Sequence, residues 1–473
     1  MLISLMDAHR TLVNDLLLRS EEFHNDIALF MPKSNTLENR LKHLLARSTS
    51  MSNSSDESEV IMVNQIAQNA LTTRPILSRS LVNLMEEFLD HKREHGTAVE
   101  KTIYCSDMSV YDLITRLLTC RPVMFMERYD RFMMKGLDGA GGFDELPTLP
   151  LEEAFSCQHL LTYCEMQLSA LLSMSVPTHF VNQGARDNRG VRSHVSDFEF
   201  QGIYVGSVGA RFERPERMEW VHMMITPTQN TEANGYGRSA NRDDPKTQAL
   251  RMWAKFYMHA SDSVLPTFSE VHALKDRDEA LFNELYVNHY QGYFNKKVYR
   301  ERVRVVAEVY LRDANDRARE HPDKASAYVH VVGLGLGVWQ VAPCQTELLV
   351  EAYAAVLRAV PLPFISHLDF SWIHATHCDG VSHDAIFTHT AAGNPICIHF
   401  SRRNPAECVA PQYLLVAQYA WDSNAYPGNE YWVGMKSASG DPAAACCSTI
   451  SELQNPCINP DAFHASRFKI YED

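Results

Sequence analysis

The sequence predicts an α/β protein: a mixed sheet flanked by helices, with a mostly helical region added at its N-terminus. Three observations carry this reading. From about residue 175 onward, short runs rich in β-branched and aromatic residues alternate with longer amphipathic stretches. Within that part, AYVHVVG, TELLVEAYAAVLRAV and FISHLDFSWI follow one another as strand, helix and strand, the succession of a right-handed crossover between parallel strands. The N-terminal 134 residues instead space their apolar side chains by three and four, as one face of a helix does.

Taken in order, Leu2, Leu5, Met6, Leu12 and Leu16 mark a first amphipathic helix. The Ser-rich stretch 47–58 reads as a linker. Helical spacing resumes over 59–134 with Ile61, Ile66, Leu81, Met85, Leu113 and Leu117 among others. Residues 136–150 form a Gly- and Pro-rich loop, and a helix is expected from Leu151 to Met174, stopped by Pro177. THFVNQG, FQGIYVGSVGARF and EWVHMMITPT read as strands. Residues 247–321 return to helix, and ICIHF and YLLVAQYAW close the series as strands. The expected division is therefore 1–150, helical, and 151–473, the catalytic α/β part, with a helical insertion near 247–321.

Composition excludes several classes. Of 473 residues, 44 are Lys or Arg and 58 Asp or Glu, a net charge of −14. Sequence-independent nucleic-acid binding needs a surplus of cations, so nucleic acid is not an expected partner. A hydrophobic content of 45% supports a packed core rather than disorder. No segment offers the roughly 18 uninterrupted apolar residues of a membrane span, and Asp7, His9 and Arg10 break the first apolar run. The expectation is a cytoplasmic or otherwise intracellular protein with no signal peptide, no transmembrane segment and no membrane partner. Eleven cysteines, an odd number without a CxxC pair, then read as reduced thiols, mostly buried.

Four segments carry chemistry. In VVGLGLGVWQ, residues 331–340, Gly333, Gly335 and Gly337 alternate after an apolar strand. Such glycines let successive backbone N–H groups cradle a phosphate, or simply let another element pack closely. The spacing is neither a Walker loop nor the dinucleotide GxGxxG. The second segment, Tyr419 to Ile450, begins at a strand end, where α/β proteins bind ligands. It holds Asp422, Asn424, Asn429, Glu430 and Asp441 on tight turns among Trp421, Tyr426, Tyr431 and Trp432, and Asp441 reads as a helix N-cap. These acids can converge on one polar substrate or serve as turn and cap residues. The third, His367 to His399, contains His374, His377, Cys378, Asp379, His383 and Asp384. Zinc ligation is the rival there to a surface loop, since the spacing is irregular and HExxH is missing. Asp369, in LDFSW at a strand end, stands apart as a ligand-contacting carboxylate. In the fourth, Phe180 to Asn230, Asn182, Thr226, Gln229 and Asn230 either contact ligand or order turns. The alternating Arg211, Glu213, Arg214, Glu216, Arg217 and Glu219 read as a paired, solvated stretch.

The words VVGLGLGVWQ, LDFSW, AWDSNAYPGNEYW and SGDPAAACCSTI together resemble the MavL-like macrodomain hydrolases, over roughly residues 175–465. The resemblance implies a macrodomain with helical additions and, as activity, removal of mono-ADP-ribose from modified arginine side chains of proteins. It places the family's three functional acids on Asp422, Glu430 and Asp441, the middle one being Glu where Asp also occurs. Gly333, Gly335, Leu336, Gly337, Val338, Asp369, Asn424 and Asn429 would then line the ADP-ribose. Implied partners are ADP-ribose and a mono-ADP-ribosylated protein, and no cofactor or metal is required. The competing expectations are a non-catalytic ADP-ribose-binding module and a metal-dependent hydrolase built on residues 374–384.

Overall fold

A computed structural model describes residues 2–27, 36–42, 55–421, 424–437 and 440–473. The proposed linker lies largely outside the described residues, as does Asp422. The centre is a nine-stranded mixed sheet. In chain order its strands are β1 (Arg74–Ser78), β2 (Ser173–His179), β3 (Gln201–Ser207), β4 (Ser326–Val331), β5 (Ile365–Ser371), β6 (Ala385–Phe387), β7 (Ile396–Ser401), β8 (Tyr413–Ala420) and β9 (Lys469–Tyr471). Their spatial order is β6-β7-β5-β4-β8-β3-β2-β1-β9. The five strands from β7 to β3 are mutually parallel. β6 and β2 run antiparallel to their inner neighbours, and β1 pairs antiparallel with β2 and parallel with β9.

β8 reads YLLVAQYA, nearly apolar throughout, as a central parallel strand covered on both faces should. One face is covered by α3 (Lys296–Glu320) and α4 (Gln345–Ala359), the latter being the expected crossover between β4 and β5. On the other, α2 (Ser55–Thr72) and α5 (Gly440–Cys447) pack on β2 and β8, with α1 (Leu2–Asp26) against α2. Deep in α3, Asp313 accepts hydrogen bonds from Arg74 Nη2 (2.7 Å), Ser175 Oγ (2.5 Å) and Tyr471 (3.3 Å), and so ties the helix to β1, β2 and β9. Burial alone would push its carboxyl upward; the Arg317 and Arg74 charges and these bonds outweigh it and hold it below the usual carboxylate range.

The structure corrects the helical reading of residues 59–134 at two places. Arg74–Ser78 is a sheet strand, and Met124–Met126 begins a three-stranded hairpin sheet completed by Arg131–Met134 and Leu137–Ala140. Both lie where a tertiary partner, not propensity, decides the conformation. The expected helix 151–174 is a turn-rich segment followed by a helix over only Tyr163–Ser169 and then β2. The Thr162–Glu165 capping box starts that helix late, and β2 begins four residues after it ends. The insertion 247–321 is helical except for the connection 259–267 and a hairpin at Tyr286–His289 and Gly292–Asn295. One continuous apolar core runs from Leu16 to Tyr471 and joins the N-terminal segment to the sheet. Among the described residues no helix is long and apolar enough to cross a membrane.

Candidate active site at the carboxyl edge of the sheet

Because β3, β4, β5, β7 and β8 are parallel, the segments that follow them all leave the sheet at the same edge. In open α/β sheets that edge forms the ligand crevice. The segment after β8 carries the predicted acids, the one after β4 the alternating glycines, and the one after β3 the residues Val208 to Arg211.

The glycine turn is held by a contact the sequence did not signal. Gly335 has φ +72°, a conformation that favours glycine, and its backbone lies against that of Gly209. A Cβ at Gly209 would sit 2.3 Å from the Gly335 nitrogen. The close-packing reading of the glycines therefore holds for Gly335. Gly337 is different: a Cβ there would meet nothing within 4 Å, and Val338 beside it is 85% exposed. Leu336 packs back on Gly333, and its N–H donates to the Gly333 carbonyl. Among the described residues no acceptor takes the N–H of Gly335, Gly337 or Val338, which leaves these donors for an anion. Arg302 of α3 fixes the facing loop by donating to the Val208 carbonyl and by pairing with Glu219 at 3.0 Å. Arg211, 1% exposed, lies over the rings of Phe125 and Trp339 at 4.3 and 5.8 Å and pairs with Asp130 and Glu213. The Arg/Glu run 211–219 is paired as expected, yet Arg211 and Glu219 are buried rather than solvated. Besides Glu213, their partners Asp130 and Arg302 come from elsewhere in the chain, so local alternation could not reveal the burial.

After β8, Trp421 continues the pairing with β3 through its N–H to the Ser207 carbonyl (2.9 Å), under the Arg121 guanidinium at 4.3 Å. Asp422 lies outside the described residues. Asn424 is completely buried, and among the described residues neither atom of its carboxamide has a hydrogen-bond partner. A buried, unpaired amide is costly unless a ligand completes it. Gly428, at φ +102°, makes the sharp turn. Its N–H donates to Asp441 Oδ1 at 2.8 Å. Asp441, 2% exposed, thus sits inside the first turn of α5 and reaches across to the neighbouring loop, instead of acting as N-cap. Glu430, half-buried, lies on the 3₁₀ turn Asn429–Val433, against which α5 packs. The two described acids therefore stand on adjoining segments. Tyr419 supplies a neighbour: burial, reinforced by the Asp441 charge, holds its hydroxyl proton far above the usual phenol range, and that hydroxyl donates to Gln454.

Asn429 also has a structural part. Its carboxamide accepts from the Phe125 N–H (2.8 Å) and donates to the Phe125 carbonyl (3.1 Å), clamping the acid-bearing turn to the hairpin at 124–140. The N-terminal segment reaches the same turn. Arg40 donates to Tyr431 (3.2 Å), Ser451 (3.1 Å), the carbonyl ends of α5 and Glu452, while Phe23 meets Trp432 edge-on at 4.8 Å. Beside the turn, Arg189, Gly434, Met435, Lys436 and Ser437 line a cavity of about 420 Å³.

Asp369 is buried in β5 next to His330 of β4. Its Oδ2 accepts from Tyr328 (2.8 Å) and Ser401 (2.9 Å), while its Oδ1 has no partner among the described residues. Burial lowers the His330 pKa although Asp369 opposes it, and His330 Nδ1 is also unpartnered. Of the histidine-rich loop, His374 and His377 are exposed and Cys378 is buried in the core. The turn-ordering alternative holds for the fourth segment: Asn182 accepts from the Gly184 N–H and Asn230 from the Thr226 N–H.

Fold and site together define an α/β protein whose glycine-rich and acid-bearing segments both leave the sheet at the carboxyl ends of its parallel strands. Comparison with known proteins makes the class specific. Residues 46–473 match the family model described as ADP-ribosylhydrolase MavL-like. Two curated relatives come from Drosophila melanogaster. ADP-ribosylarginine hydrolase CG3568 is 39% identical over 409 residues, covering 84% of this chain and 77% of that protein. ADP-ribosylarginine hydrolase CG2909 is 34% identical over 410 residues, covering 84% and 78%. The chain belongs to the MavL-like ADP-ribosylhydrolase family.

Proposed function

We propose that this protein cleaves the N-glycosidic bond between mono-ADP-ribose and an arginine side chain, on a macrodomain-type core. The observation that carries the proposal is the pairing of two walls at one sheet edge. The glycine turn offers the N–H groups of Gly335, Gly337 and Val338, and the loop after β8 offers Glu430 and Asp441 across the Gly428 turn. The names of the two relatives support the arginine linkage.

The diphosphate sits on the open N–H groups, which bind an anion without adding net charge. The unpaired Asn424 amide and Asp369 Oδ1 are the donors and acceptors for ribose hydroxyls and adenine. Carboxylates on the opposite wall hold the planar guanidinium by paired hydrogen bonds, which a lysine ammonium could not match. Asp422 and Glu430 take the guanidinium and the distal ribose. Asp441 either grips the guanidinium as well or accepts a proton from the attacking water. The bond from the anomeric carbon to the guanidinium nitrogen breaks through an oxocarbenium-like state. Its electron pair stays on nitrogen, which leaves as neutral guanidine and takes up a proton. Water adds to the anomeric carbon and gives its proton to the carboxylate, releasing ADP-ribose and unmodified arginine.

The test is release of ADP-ribose from an arginine-linked mono-ADP-ribosylated peptide, with Asp422→Asn and an EDTA arm in parallel. Release by the wild type, lost in the variant and indifferent to EDTA, is the expected result. Binding of free ADP-ribose without release would leave a reader module, and loss of release in EDTA would overturn the acid-only scheme.

A further inference from the structure

We propose that His367, Cys397 and His399 form a binding site for one divalent cation of the zinc class, separate from the acid-bearing loop. The register puts them together. His367 of β5 lies opposite Cys397 of β7, and His399 follows two residues later, so period-two alternation places all three on one face of the sheet. The face covered by α3 and α4 is the other one, since Phe370 meets Tyr353 of α4 edge-on at 5.6 Å. The ligand atoms of the three side chains lie within 4.8 Å of one another, and all three residues are half-buried, so the position is reachable from solvent.

The histidine geometry is that of a preformed pair. His367 Nδ1 and His399 Nε2 are 2.9 Å apart, an arrangement with a single proton between two nitrogen lone pairs. A cation can replace that proton. With metal–nitrogen bonds of about 2.05 Å, tetrahedral ligation spreads the two nitrogens to about 3.3 Å, a small opening. The other nitrogen of His399, Nδ1, lies 2.7 Å from Asp384 Oδ1, the carboxylate support that orients metal-bound imidazoles. The rings are already locked by stacking: Tyr328 lies 5.2 Å from His367 and 5.7 Å from His399, and Tyr413 meets His367 edge-on at 4.6 Å.

An overlapping set, His383, Asp384 and His399, shares His399 and so describes the same location. It is the weaker set, because His383 Nδ1 already accepts the Phe400 N–H at 3.0 Å. Two nitrogens and one sulfur leave a fourth position for water, a donor set suited to zinc or cobalt and unsuited to magnesium or calcium.

The experiment uses the full-length protein stripped of metal and titrated with Co²⁺, then with Zn²⁺. One Co²⁺ per chain is expected, with a thiolate-to-metal charge-transfer band in the near ultraviolet that Zn²⁺ abolishes. Cys397→Ser should lose the band, and Asp384→Asn should weaken affinity about 10- to 100-fold. Both metal-free variants should melt where metal-free wild type melts, which separates ligand loss from misfolding. Absence of stoichiometric uptake by the wild type overturns the proposal. So does a band and affinity unchanged in both Cys397→Ser and His399→Gln.

Discussion

Replacing Gly209 by alanine tests whether the crevice depends on two loops touching backbone to backbone. The new Cβ would lie 2.3 Å from the Gly335 nitrogen, 2.6 Å from its Cα and 2.7 Å from the Leu334 carbonyl carbon. Ordinary contact at such atoms is about 3.4 Å, so the loops must separate by about 1 Å. Neither side yields easily. The Val208 carbonyl is held by Arg302, and Gly335 at φ +72° is already in the region that favours glycine. Overpacking of this kind costs about 1–3 kcal/mol of stability. A displacement of about 1 Å in a substrate-positioning loop costs about 100-fold in turnover efficiency. The assay is ADP-ribose release from an arginine-linked peptide, with kcat and KM separated, beside thermal unfolding. Gly337→Ala, whose Cβ meets nothing within 4 Å, should leave the melting temperature unchanged. If Gly209→Ala keeps kcat/KM within about twofold of wild type, the reasoning that this contact shapes the crevice is refuted.

Other outcomes follow from the same structure. Asp441→Asn should lower kcat/KM by about 100-fold or more, with the fold retained, because the amide keeps an oxygen for the Gly428 N–H but loses the charge. Equal kinetics in variant and wild type would remove Asp441 from the acidic wall. Asp313→Asn leaves Arg74 and Arg317 without their buried counter-charge and should cost about 3–5 kcal/mol in denaturant unfolding; a loss below about 1 kcal/mol would contradict the network's importance. Burial lowers His179 to about 4 and His222 to about 3, below the ordinary imidazole value of about 6.5. The unfolded chain then binds more protons between those values, so both residues contribute stability that is complete above about pH 6.5 and is lost as the pH falls toward 4. Melting temperatures measured across that window should fall with acid, and more shallowly in His179→Gln; a flat profile in the wild type would contradict the sign.

The sheet's inner strands and the single crossover helix were legible because each is a long, strongly periodic or continuously apolar run. YLLVAQYA and TELLVEAYAAVLRAV admit few other readings. The acid-bearing loop was legible for a different reason. Its Pro-Gly and Gly-Asp-Pro turns punctuate the chain locally, and its words are long enough to mark a family. Arg74–Ser78 and the hairpin from Met124 were missed because five or fewer residues carry no decisive periodicity, and their strand form is fixed by distant partners.

By itself, the sequence determined the α/β class, the order of the central strands along the chain, and the chemical types gathered in the acidic and glycine-rich segments. These follow from nearest-neighbour pattern and turn chemistry, which are local. The tertiary structure alone decided that Gly209 and Gly335 touch, that Asn429 clamps Phe125, that Arg40 seals α5, and that His367 faces Cys397 and His399. Each of these joins residues tens to hundreds of positions apart, and in the β5–β7 pairing the strand register sets the match. A pattern with period 2 or 3.6 specifies which face a side chain occupies but not what lies opposite that face. Packing of the whole chain supplies the partner, and with it the site.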